Sequence, residues 1–156
     1  MPNLTTRNGY TFFVDEEDLD KFDLQKCFGR VMGRTSYIGV SGTESKMLHS
    51  LLLKVPPGFT VDHKDGNALN NRRDNLRQAT YTQNQGNRRL SRDNTTGYKG
   101  VSIDKRKRFK KYRAWIGINQ KRKPLGNFYT PTEAAKAYNE AAIQYFGIEF
   151  AKLNEI

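Results

Sequence analysis

Residues 59–89, FTVDHKDGNALNNRRDNLRQATYTQNQGNRR, decide how the chain is read. Phe59 to His63 is strand-like and ends on polar residues. Lys64 to Asn71 is a loop, with turn chemistry at Asp65-Gly66-Asn67. Asn75 to Thr80 reads as a second strand, and Tyr81 to Arg89 as a short helix with Thr80 as its N-cap. A strand, a loop, a strand and a helix would bring Asp62, His63 and Asn84 to one small site.

These residue types suit phosphodiester hydrolysis. A neutral histidine takes a proton from water because its pKa lies near working pH. Oxygens of Asp and Asn suit a single Mg²⁺-class ion, which neutralises a phosphate and stabilises a leaving oxygen. Neighbours on a strand point to opposite sides unless the strand ends there. Asp62 therefore suits the metal and His63 the water, while Asn75 holds the loop and orients His63 through its amide. The bare Asp-His dipeptide is also an ordinary polar turn. A calcium loop fits poorly, because the alternating acids of an EF-hand are missing.

Charge supports a polyanionic partner. The chain has 156 residues, a net charge of +11 and a pI of about 9.8. Residues 1–60 are neutral overall, 61–90 carry +3, 91–130 carry +10 and 131–156 carry −2. The excess is interleaved with aromatic residues and glycines, the pattern of a docking face for DNA or RNA rather than a merely solvated surface. Arg72 and Arg73, beside the central loop, are candidate contacts. Only 36% of residues are hydrophobic and the mean hydropathy is −0.82, so the core is modest and two small domains are expected. The single Cys27 excludes an intrachain disulfide and a multi-cysteine zinc site. It fits a reducing compartment, and the chain shows neither a signal-peptide pattern nor a membrane span, so a cytoplasmic location is expected.

Upstream of the central stretch, Gly9 to Val14 predicts a strand, Asp15 to Phe28 a short helix, and Gly29 to Gly42 two strands broken at Gly33 and Gly39. Lys46 to Val55 is densely apolar and should be buried, ending at Pro56-Pro57-Gly58. His49 within it is either a half-buried histidine with a satisfied ring or a phosphate contact at the active site.

Downstream, LSRDNTTG (90–97) is a polar linker. Tyr98 to Ile103, Tyr112 to Ile118 and Lys121 to Phe128 predict three antiparallel strands. Thr130-Pro-Thr-Glu133 combines a capping box with proline at the first helical position. Ala134, Tyr138, Ala141, Ala142 and Tyr145 form one helical stripe, ended by Gly147. Strand parity sends Val101, Ile103, Ala114, Ile116, Ile118 and Leu125 under the helix. The opposite face then carries Ser102, Arg113, Trp115, Gly117, Arg122 and Pro124, which can lie in a DNA groove.

VDHKDGNALNNRRDNLRQATYTQN, with MLHSLLL upstream, resembles the HNH (His-Me finger, ββα-metal) endonucleases, in particular homing and nicking enzymes of phages and introns. The resemblance implies His63 as general base, Asn75 as the central structural Asn, and Asp62 with Asn84 as ligands of one Mg²⁺ or Mn²⁺, with Asn87 as fallback for Asn84. GYKGVSIDKRKRFKKYRAWIGI, LGNFYTPTEAAKAYNEAAIQYFG and EFAKLN resemble the AP2 DNA-binding domain, which implies a three-stranded sheet on one helix that reads the major groove. Lys99, Ser102, Arg113, Trp115, Arg122 and Lys123 are the expected DNA contacts there.

The expectation is an α+β chain. Residues 1–90 form a β-rich platform and the HNH nuclease (core about 46–90), 91–97 a linker, and 98–156 the AP2-like domain. Its expected activity is metal-dependent cleavage of double-stranded DNA, as a nick because there is one site per chain; a double-strand cut would require dimerisation or two successive events. No membrane or obligate protein partner is implied, and the resemblance suggests a phage or bacterial setting. Two rivals stand beside this reading: a non-catalytic, sequence-specific DNA-binding regulator with a decayed nuclease site, and an RNA-binding protein.

Overall fold

Backbone pairing begins at the N-terminus, where Asn3–Thr5 (β1) and Thr11–Phe13 (β2) run antiparallel in a computed structural model that describes residues 3–42 and 46–156. The parts of the expected platform at 1–2 and 43–45 lie outside the described residues. Two compact units divide the chain, Met1–Ala79 and Thr80–Ile156. The fold is mixed α and β, with small sheets and few helices.

In the first unit, Cys27–Met32 (β3), Thr35–Val40 (β4) and Lys46–Met47 (β5) form an antiparallel sheet in the order β3-β4-β5. Leu48–Leu52 (α1) follows. The turn between β3 and β4 falls at Gly33, whose φ of 63° favours glycine. Gly39 lies inside β4 instead of breaking it, and a Cβ there would come within 2.6 Å of the Phe28 ring. Phe12, Val14, Cys27, Ile38 and Leu48 make the core, and Leu4, Tyr10, Phe22, Leu52 and Leu69 pack around it. Of the apolar run 46–55, Leu48 alone is fully buried; Leu51, Leu52 and Leu53 are half-buried.

The helix expected over 15–28 is replaced by two short 3-10 turns, Glu16–Lys21 and Leu24–Lys26. The cause is tertiary. Asp15 does not cap the turn, because its Oδ2 accepts from the backbone N–H of Arg73 at 2.9 Å. Asp18 is fully buried and accepts two bonds from the Arg73 guanidinium, at 2.9 and 2.6 Å, while Lys21 pairs with it at 2.7 Å. These bonds outweigh burial and hold the Asp18 carboxyl down to about 2. Asp23 then starts the second turn by accepting from the N–H of Gln25.

Phe59–His63 (β6) and Leu76–Thr80 (β7) pair as a two-stranded sheet, as the central stretch predicts. The loop between them is fastened to β2: Phe13 N–H donates to the Leu69 carbonyl at 2.9 Å, and Asn71 N–H to the Phe13 carbonyl at 2.8 Å. The N-terminal strands thus support the loop that follows His63.

The second unit opens with Tyr81–Gly86 (α2), started by the complete Thr80/Gln83 capping box. Val101–Ile103 (β8), Tyr112–Ile118 (β9) and Lys121–Phe128 (β10) form an antiparallel sheet in the order β10-β9-β8. Pro131–Phe146 (α3) begins with the Thr130/Glu133 capping box and ends at Gly147. Ile116, Tyr138, Ala141, Ala142 and Phe146 form one part of its core, and Val101, Ala114, Ala134 and Ala135 the other. The alanines bring helix and sheet close together. Ile103 departs from the expected face pattern. It is the last residue of β8, beyond the helix's cover, and is 38% exposed.

Candidate active site and nucleic-acid face

β6 delivers Val61, Asp62 and His63 to a buried position; Asp62 is 4% and His63 6% exposed. Both neighbours are covered because the strand ends at His63 and the chain turns back at once: Gly66 N–H donates to the His63 carbonyl at 2.8 Å, with Gly66 at a φ of 70°.

Asn75 holds this loop. Its Nδ2 donates to Asp65 Oδ1 at 3.0 Å and to the Asn70 carbonyl at 2.7 Å, and its Oδ1 accepts from Asp65 N–H at 3.0 Å. Both amide hydrogens are thereby engaged with the loop. The backbone carbonyl of Asn75 also accepts from Lys64 N–H at 2.9 Å. Its influence on His63 therefore runs through the loop backbone.

The side chain beside the His63 ring is Asn71, which the sequence reading missed. His63 Nε2 lies 3.4 Å from Asn71 Oδ1, and Asn71 is 1% exposed. Asn71 Nδ2 faces the Leu69 and Ala68 carbonyls at 3.3 and 3.5 Å, which fixes the amide with its oxygen toward the histidine. An amide oxygen only accepts, so Nε2 carries the hydrogen in this contact and the ring lone pair is on Nδ1.

Burial lowers the His63 pKa below its ordinary value; Asn71, Asp65 and Asp62 act in the opposite direction without cancelling it. The ring is therefore neutral near neutral pH. Asp65 is a carboxylate: burial opposes this, but hydrogen bonds from Asn70, Asn67 and Asn75 hold its pKa below the usual range.

His49, on α1, belongs to the same aromatic cluster. Its ring meets His63 edge-on at 5.2 Å between centroids, and Tyr37 lies 5.8 Å from His49 and 6.5 Å from His63. Burial, then the charge of His63, push His49 down to about 4.

Asp62 is paired with Arg77, another residue the sequence reading did not single out. Arg77 Nε and Nη2 both reach Asp62 Oδ2 at 2.8 Å. Among the described residues no group of three or more His, Cys, Asp or Glu side chains could hold a metal. A divalent ion at this site would thus rely on one carboxylate, amide oxygens and substrate phosphate. That oxygen-only donor set suits Mg²⁺ or Mn²⁺ rather than zinc. The loop also holds Asn70 Oδ1, a buried amide oxygen with no hydrogen-bond donor among the described residues. Asn84 and Asn87 lie in the second unit, Asn84 within α2 and Asn87 at its C-cap.

Two expected DNA contacts have other duties here. Arg73 is tied to Asp18 by two hydrogen bonds and to Glu17 at 3.1 Å, so it anchors the platform. The Arg72 guanidinium lies over the Phe13 ring at 5.5 Å, with its Nε buried.

In the second unit, residues directly opposite across the sheet share a face. Ser102 pairs with Arg113, Arg122 with Gly117, Pro124 with Trp115, and Asn127 with Arg113. Ser102, Arg113, Trp115, Arg122 and Pro124, five of the six residues that strand parity puts on this face, line one shallow concavity with Asn127; Gly117 is not in its lining. Arg122 stacks on Trp115 at 4.3 Å, and Arg113 is steered by Asp104 at 3.6 Å. Lys123 lies elsewhere. It pairs with Ile116, which faces the helix, and its ammonium donates to the Tyr145 hydroxyl of α3. Lys99 is half-buried and donates to the Gly86 carbonyl at 2.6 Å, closing the end of α2. Neither cation belongs to the Trp115 face.

Among the described residues no helix is long and apolar enough to cross a membrane. Residues 54–85, which contain the whole β6–β7 hairpin and most of α2, match the family model described as HNH endonuclease. Protein 3.8 of Escherichia phage T7 is 45% identical over 51 residues, 33% of this chain and 42% of that protein. An uncharacterized HNH endonuclease of Acanthamoeba polyphaga mimivirus is 34% identical over 145 residues, 88% of this chain and 73% of its own length. No solved structure matches the chain. The similarity to the mimivirus protein is longer than either compact unit, and the matched segment contains the buried Asp62-His63 pair: the chain belongs to the HNH endonuclease family, nucleases that act on DNA and generally use a divalent metal.

Proposed function

We propose that the protein is a metal-dependent, homing-type nicking endonuclease in which His63 is the general base. The observation that carries this reading is the His63 ring itself: buried, held at Nε2 by Asn71, and kept neutral by its surroundings. His63 Nδ1 takes a proton from the attacking water, the water oxygen forms the new bond to phosphorus, and the bond to the 3′ oxygen breaks, that oxygen taking up a proton from solvent water. The products carry a 5′ phosphate and a 3′ hydroxyl. Asn75 keeps the loop closed around Asp65 so that the ring does not swing away.

Asp62 is the proposed metal ligand in the first unit, and Asn84 is the second oxygen donor that the motif assigns, with Asn87 as its alternate. A bound Mg²⁺ or Mn²⁺ would supply positive charge to the phosphate and to the departing oxygen. Arg77 holds the Asp62 carboxylate in place through two contacts to Oδ2. One such site per chain cuts one strand; a double-strand cut requires two chains or two events.

The three-stranded sheet of the second unit, read as AP2-like, supplies affinity and sequence choice through Arg113, Trp115, Arg122 and Ser102. The functional division remains a nuclease over 1–90, a linker over 91–97 and a DNA-binding domain over 98–156.

The test is conversion of supercoiled plasmid to open circle with Mg²⁺, with EDTA and with His63→Ala. Nicking that requires metal and is lost in His63→Ala is expected. Unchanged nicking in His63→Ala would remove the histidine from the mechanism.

A further inference from the structure

The second unit holds a cleft of about 420 Å³ that the catalytic reading does not use. It lies between the C-terminal end of α2, the chain that follows, the β9–β10 turn and α3. Arg88, Arg89, Lys99, Lys121 and Arg122 line it, with Trp115 at its edge. No Asp or Glu is among the described residues that line it.

Lys99 is a fixed cation in this cleft. Its backbone N–H donates to Asn154 Oδ1 at 2.7 Å, and its carbonyl accepts from Asn154 Nδ2 at 3.1 Å. Asn154 is itself bonded to Asn139 of α3 at 2.8 and 2.9 Å. The Lys99 ammonium has three hydrogens, and one is given to the Gly86 carbonyl. It also lies 5.9 Å from the Tyr138 ring centre. Burial, and then the nearby charges of Lys152 and Arg88, lower its pKa to about 8. One anchored cation, Lys99, with the exposed cations Arg88, Arg89 and Lys121 around it and no acid in the lining, favours an anion. The volume lies in the range of small-ligand sites, roughly 300–1,000 Å³, so a phosphate with its attached sugar fits.

We propose that this cleft binds a backbone phosphate of the DNA strand, beside the sheet face, with which it shares Trp115 and Arg122. The inference rests on the reading that the enzyme acts on DNA, and adds a second grip to it. Because α2 also carries Asn84, a strand held here is held against the helix that bears a proposed metal ligand.

The test compares the full-length double variant Arg88→Gln/Arg89→Gln with Lys54→Gln/Lys136→Gln, which removes the same charge from exposed positions outside the cleft. Lys121→Gln serves as a second cleft variant. Binding of labelled duplex is measured across a salt series. The double cleft variant should lose about tenfold more affinity than the control, and its log–log salt dependence should be shallower by about one to two. Lys121→Gln should shift both in the same direction. Losses equal to those of the control overturn the cleft alone. Failure of the wild type to bind any duplex overturns the DNA reading itself. Inorganic phosphate, titrated at constant ionic strength and read through Trp115, the chain's only tryptophan, separates the two sources of the anion. Weak, non-saturating response supports a strand phosphate; tight saturation assigns the cleft to free phosphate and overturns the strand assignment.

Discussion

The rings of His49 and His63 meet edge to face, 5.2 Å apart and at 89°. Each excludes water from the other, and burial pushes both below the ordinary histidine value. A base must be neutral to act, so activity falls as pH drops through the pKa of His63. The acidic limb of kcat/KM is expected with a midpoint below 6.5, the unperturbed value. A pH–rate profile at saturating metal checks it, and a midpoint above 6.5 would contradict the burial argument.

His49 makes a separate prediction about stability. Its pKa falls from 6.5 to about 4 on folding, burial being the larger cause. Between those values the unfolded chain binds a proton that the folded chain does not. Stability therefore rises with pH in this window and falls as pH drops through it. The loss approaches roughly 3 kcal/mol at its acidic end. Chemical denaturation at pH 7 and pH 4.5 should show a smaller acid penalty in His49→Gln than in the wild type.

Asn71→Ala removes the partner of His63 Nε2 and one of two donors to the Leu69 carbonyl, which keeps its bond from Phe13 N–H. Stability should fall by about 1–3 kcal/mol, the cost of taking a hydrogen-bond partner from a buried group. kcat should fall more than KM changes, because the ring loses its orientation and not its substrate. Urea unfolding and single-turnover cleavage measure the two effects separately.

How far the sequence discloses this site depends on whether partners are close in the chain. Asp62 and His63 are adjacent, and Asn75 is one loop away, so local pattern is enough to find them. The Thr130 and Thr80 caps and the face parity of β9 are equally local. Asn71 is one of several Asn residues in the loop, and its role emerges only when Phe13 fastens that loop in place. Arg77 had a usable signal, since a basic residue on β7 faces the acidic end of β6 in a hairpin. Arg73 reads as a phosphate contact because its partner, Asp18, is far away in sequence. The same distant bond explains why 15–28 forms short turns instead of the helix its acids suggest.

Arg77 neutralises a carboxylate that is almost completely buried, at 2.8 Å. Arg77→Met should cost about 3–5 kcal/mol, the usual result of stripping one partner from a buried pair. If Asp62 binds metal, the variant should recover more stability on adding Mn²⁺ than the wild type does, because an ion replaces the missing charge. Thermal melts with Mn²⁺ and with EDTA provide the comparison. An equal metal effect in both proteins would argue against Asp62 as a ligand.

The adjacent cations Arg122 and Lys123 offer a test of strand parity. Arg122 lies over Trp115 on the open face, whereas Lys123 bonds to Tyr145 of α3 on the helix side. Their side chains differ by one residue and therefore by one face of the sheet. Arg122→Gln should weaken duplex binding about tenfold and make its salt dependence shallower by about one. Lys123→Gln should change affinity no more than removal of a charge at a remote surface position, and instead lower the melting temperature by a few degrees through its lost contact with Tyr145. Fluorescence anisotropy with one duplex across a salt series distinguishes the two. Equal losses for both variants would mean that the DNA is not held by the Trp115 face.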